Sequence, residues 1–198
     1  MIKLITLWIV LLFSFPVFGQ FEIYDEEFNL NFLKIKDGGQ WFFKGNNHSF
    51  SINIIAKNIT TTESPNYITA DNTILQVSIV PLPKSNLDLS KLTIAQQKET
   101  LAGYVDYELD YFKNDVKINY KDLKKEWVTV NSILWLIWSF DSRDFNSPEP
   151  VKGKPQFQIY ASTICFNQIL DLNTPVMKDQ SFYQSKSLIS RLMATLKL

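Results

Sequence analysis

The stretch Asn131–Phe140, "NSILWLIWSF", decides how this chain folds. From Ile133 to Trp138 every residue is apolar, and two of them are tryptophan. In an extended strand Ile133, Trp135 and Ile137 point to one side, and Leu134, Leu136, Trp138 and Phe140 to the other. The run is far shorter than the roughly 20 apolar residues a membrane-spanning helix needs. A strand apolar on both faces belongs in the middle of a sheet that is covered on both sides. The stretch is therefore expected to be core, and the rest of the chain has to supply two covering layers.

Working outward, Val130-Asn131-Ser132 reads as a tight turn from the preceding strand-like "VKINYKDLKKEWVTV". "PQFQIYASTICFNQILDL" downstream is also strand-like. The join from Asp141 to Pro155 carries three prolines and a glycine; a loop of that length is either functional or merely flexible. Nearer the N-terminus, extended pieces flank the turn signal Asp37-Gly38-Gly39, and Ser49–Ile59 reads as a strand. "TILQVSIVPLP" alternates Leu75, Val77 and Ile79 with Gln76 and Ser78, giving one buried and one more polar face.

Two helices are predicted as cover. Thr93–Gln96 matches a capping box, in which hydroxyl and amide each satisfy an exposed helix-end donor. Ile94, Leu101, Val105, Leu109 and Phe112 then recur near the helical period to about Asn114. The second helix starts near Asp179 or Ser181 and carries Phe182, Ile189, Leu192 and Leu196 on one face.

The chain has 198 residues, 45% of them hydrophobic, with 20 basic and 20 acidic side chains. That is enough for one domain with its own core. Charge neutrality argues against nucleic-acid binding, which draws on a basic face. Lys3, the apolar run Leu4–Phe15 and "VFG" at Val17–Gly19 resemble a cleaved export signal, leaving Gln20 as the new N-terminus. The expected layout is a signal peptide at 1–19, a short leader at 20–28 and one α+β domain at 29–198. The expected location is secreted or periplasmic, with no stable membrane insertion after cleavage.

The order of elements carries a family resemblance. The segments "ILQVSIVPLP", an acidic-faced helix, "EWVTVNSILWLIWSF", "PQFQIYASTICF" and "FYQSKSLISRLMATLKL" follow one another as in the Mog1/PsbP-like α/β/α sandwiches, which include small exported bacterial proteins. "VNS" stands where that group has a "VNG" type of turn. The resemblance implies an antiparallel β-sheet with helices packed on its faces, and a non-enzymatic binding or accessory module. It carries over no partner and no functional residue.

Reactive chemistry is sparse in the sequence. His48, the single histidine, sits in the turn-like "GNNHSF" and reads as a solvated loop residue. Cys165, the single cysteine, falls where strand alternation buries it. One His and one Cys do not make a zinc site of those ligand types, and no cofactor motif is present. The carboxylate pair Asp25 and Glu27 offers a glycosidase-like hydrolase as an alternative, and an uncleaved N-terminal anchor offers a membrane-tethered subunit. For binding, the triplet Trp41-Phe42-Phe43 cannot turn all three rings to one side of a strand. Trp41, Phe43 and Phe145 are the surface candidates for an unknown protein partner or a small apolar ligand, against the reading that the triplet plugs one end of the sheet.

Overall fold

The computed structural model describes residues 26–82, 91–143 and 154–198. The expected signal peptide, all but the end of the leader, and Phe145 lie outside those residues. Strands β1 (Asn29–Ile35), β2 (Gly38–Lys44) and β3 (Ser49–Ile55) form an antiparallel meander. A second sheet combines β4 (Ile59–Thr61), β5 (Tyr67–Ala70), β6 (Thr73–Pro81), β7 (Lys121–Val130), β8 (Ile133–Asp141), β9 (Phe157–Cys165) and β10 (Gln168–Val176). Its order is β4-β5-β6-β10-β9-β8-β7, and every pairing is antiparallel. With helices α1 (Ile94–Asn114) and α2 (Phe182–Ala194) on opposite faces, the chain is α+β, in the arrangement the sequence led us to expect.

The strand β8 is the interior ribbon. Leu134, Leu136, Trp138 and Phe140 pack with Leu101, Tyr104, Val105 and Leu109 of α1. Trp135 and Ile137 belong to the opposite cluster, with Leu188, Ile189, Leu192 and Met193 of α2. Trp135 and Trp138 are 0% and 1% exposed, so the layers shield both faces. The second face is not covered by a helix alone. Trp41, Phe43, Ile52 and Ile54 of the small sheet share that layer with α2. A 13-residue helix is only about 20 Å long, whereas seven strands spread over roughly 29 Å, so one short helix leaves apolar sheet uncovered.

Local chemistry sets the corners. The capping box at Thr93 and Gln96 opens α1, and the Ser181 hydroxyl accepts from the Gln184 N–H at the start of α2. Ile94, expected on the buried stripe, is exposed at the helix start, and Tyr104 is buried in the stripe instead. Two-residue loops with both residues at positive φ join β5 to β6 (Asp71, Asn72), β7 to β8 (Asn131, Ser132) and β9 to β10 (Phe166, Asn167). Their hand matches strand twist, which favours tight hairpins. The last of them divides what reads as one strand-like segment into β9 and β10. Gly38 has φ +147, and a Cβ there would collide with the carbonyl oxygen of Ile54, so glycine is required where β2 meets β3.

Candidate functional site

Two of the three aromatic candidates, Trp41 and Phe43, are interior. β2 alternates, which turns Trp41 and Phe43 to the same buried face and leaves Phe42 half-buried on the other. Trp41 is 0% exposed and donates from Nε1 to the Pro65 carbonyl at 2.9 Å. Phe43 is buried and stacks on Phe50, with ring centroids 4.3 Å apart. Neither ring is a surface feature, because the small sheet presses this face onto the large one. Phe145 lies outside the described residues.

His48 does lie in a loop with its side chain 40% exposed, but its ring is engaged. Its Nδ1 lies 2.6 Å from Glu26 Oε2, and its ring stacks on Phe166 at 4.3 Å. Glu26 lies within the expected leader at 20–28, yet its side chain is 2% exposed. Its Oε1 accepts from the N–H groups of Asn47 and His48 at 2.8 Å each, and its backbone oxygen accepts from Gln168 Nε2 at 2.6 Å. A Cβ on Gly45 would collide with this carboxylate, so glycine lets the loop close over it. Burial works to raise the Glu26 pKa, but the His48 ring and the two backbone N–H groups outweigh it and hold the carboxyl below its ordinary value. Phe166 reaches the pair from a backbone at φ 45, a strained conformation for so bulky a residue. The arrangement engages both carboxylate oxygens and holds the described end of the leader on the domain.

A second polar group is sealed between α1 and the sheet. Trp138 Nε1 donates to Ser162 Oγ at 3.0 Å, and Ser162 Oγ donates to Asp171 Oδ1. Tyr160 stacks on Trp138 with centroids 4.0 Å apart, closing this cluster. Burial raises the Asp171 pKa to about 8; the Ser162 bond opposes that rise and the charge of Glu108 adds to it. Cys165 is buried, and burial pushes its thiol up to about 12, so at neutral pH it is not a nucleophile. Glu27 is exposed and Asp25 lies outside the described residues. Among the described residues no group of three or more His, Cys, Asp or Glu side chains is placed to hold a metal ion, and no helix is long and apolar enough to cross a membrane.

An open concavity lies elsewhere. A cleft of about 890 Å³ runs between the β1–β2 turn, the β3–β4 link, the β5–β6 turn and the last turn of α2. Lys34, Lys36, Lys57 and Arg191 line it against Asp37 and Asp71. All four cations are exposed, and among the described residues none of them is in an ion pair. Asp71 is already engaged. Its carboxylate accepts from the N–H of Asn58 at 2.9 Å and of Lys57 at 3.1 Å, while its own N–H donates to the Asn58 carbonyl at 2.9 Å. Those two N–H groups, Asn58 first, hold its carboxyl below the ordinary value, and the charges of Lys57 and Arg191 add to the effect. No local sequence pattern signals this cleft, since its charges come from segments far apart in the chain.

No protein-family model matches the chain, and no curated protein matches it. Among solved structures its fold is similar to the solution structure of cyanobacterial PsbP (CyanoP) from Synechocystis sp. PCC 6803. The two are 12% identical, the similarity covers 86% of this chain and 92% of that one, and the TM-score is 0.42.

Proposed function

We propose that this chain is an exported, non-catalytic binding or accessory module whose cationic cleft is its working surface. One observation carries the reading. The groups with reactive potential, His48, Glu26, Asp171 and Cys165, are each committed to internal structure, whereas the exposed cations of the cleft are not in ion pairs among the described residues. Charged side chains held on a concave surface without intramolecular partners suit recognition. The export reading rests on Lys3, the apolar Leu4–Phe15 run and the small-residue approach to Gln20.

A photo-crosslinking residue placed at Lys36 on the cleft rim, and separately at Tyr183 on α2, tests the surface in the native cell. A discrete adduct from position 36 with none from 183 supports the module. Indistinguishable adduct patterns from the two positions would contradict it. Mass measurement of the mature chain checks export: an N-terminus at Gln20 supports it, and an intact Met1 in the membrane fraction contradicts it.

A further inference from the structure

We infer that the cleft takes an acidic, extended peptide segment of a partner protein; this rests on the binding-module reading and names its ligand class. The chain itself displays the chemistry. Asp71 is a carboxylate bound at the cleft wall by two backbone N–H groups, beside Lys57 and Arg191. With that carboxylate seated and Asp37 at the rim, the lining still holds four cations against two acids, in a chain of formal net charge +0. The excess positive charge is local, and it favours further carboxylates.

The rest of the lining argues for a peptide rather than a bare anion. Ile35 and Ile55, at 44% and 65% exposed, stand among the cations, with Ala56 and Ile59 beside them. A ligand carrying both acidic and apolar side chains satisfies both kinds of contact, and an extended backbone presents every second side chain to the same wall, so that each wall meets both kinds. The cleft floor is also built to stay open. Asp71 and Asn72 hold the β5–β6 turn at φ 45 and 69, and the turn is tied to the β3–β4 link by the Asp71 N–H, which donates to the Asn58 carbonyl, and by the Asp71 carboxylate, which accepts from the Asn58 N–H. A nucleic acid would need a longer basic track than four side chains on one cleft.

The probe is a fluorescently labelled acidic peptide, acetyl-EELEELEE-amide, titrated into the full-length chain, with its glutamine-for-glutamate counterpart as control. Anisotropy should report binding of the acidic peptide that weakens as salt rises, and at least tenfold weaker binding of the control. The double variant Lys34→Glu/Lys57→Glu should weaken binding at least tenfold, whereas Lys124→Glu on β7 should leave it unchanged. Because these are surface positions, matching melting curves show that the variants are folded. Amide shift changes should cluster at residues 34–38, 55–60, 71 and 191. The inference is overturned by no binding at millimolar peptide, by shifts elsewhere, or by an affinity insensitive to the double variant. It is equally overturned if phosphatidylglycerol vesicles or inorganic pyrophosphate occupy the cleft and the peptide does not. If crosslinks from position 36 still capture a partner while the peptide fails, the ligand class is wrong and the module reading survives.

Discussion

Glu26 Oε2 and His48 Nδ1 lie 2.6 Å apart, and this contact ties the start of the described chain to the loop between β2 and β3. Removing the carboxylate orphans the Asn47 and His48 N–H groups as well as the ring. Glu26→Ala should therefore lose about 2 kcal/mol in urea unfolding. The pH sign follows from the lowered Glu26 pKa. Its contribution is present above the ordinary carboxylate range and is lost as pH falls through the folded value. Glu26→Gln should thus narrow its gap to the unmodified chain in acid; a gap constant with pH would refute an ionised carboxylate held at this position.

Asp171 has the opposite sign. Its pKa rises from 3.8 to about 8, so the folded state holds a proton that the unfolded state has released. Stability should fall as pH climbs from about 4 to about 8 and level off above that. Asp171→Asn should remove most of this slope. Melting temperatures across that interval check it, and parallel profiles for the two proteins would count against a buried carboxyl at this position.

The β7–β8 turn holds Ser132 at φ 65, after Asn131 at φ 51. A side chain in the left-handed region costs more than glycine does there, even allowing for glycine's greater loss of freedom on folding. Ser132→Gly should stabilise the chain by about 0.5–1 kcal/mol in denaturant titration, because Asn-Gly suits this turn. A loss of stability would mean that the turn has another geometry.

The two tryptophans of β8 differ in one respect that can be measured. Trp138 Nε1 has a partner in Ser162, whereas Trp135 Nε1 is buried and has none among the described residues. Trp138→Phe should cost about 1 kcal/mol more than Trp135→Phe, since only the first breaks a hydrogen bond. Equal costs would show that packing alone holds both rings.

Much of the architecture was legible in the sequence because it rests on periodicity. The double-sided apolar run of β8, the alternation of β6 and the caps at Thr93 and Ser181 each have local physical causes. The β9–β10 hairpin was hidden because Phe166 and Asn167 turn the chain without Gly or Pro. Trp41 and Phe43 drew attention as a patch, yet period two sends them together into the core. The Glu26–His48 pair spans 22 positions, and the cleft gathers charges from separate segments, so neither leaves a local pattern.

Native-state hydrogen exchange by NMR tests the interior placement of β8 most directly, because every other contact is arranged around it. Hydrogen-bonded amides of residues 134–140, with the Trp138 indole N–H, should exchange only through global unfolding, at the same free energy as the amides of Val105 in α1 and Ile189 in α2. Exchange of the β8 amides through local openings, well below the global unfolding free energy, would contradict a ribbon held between two layers.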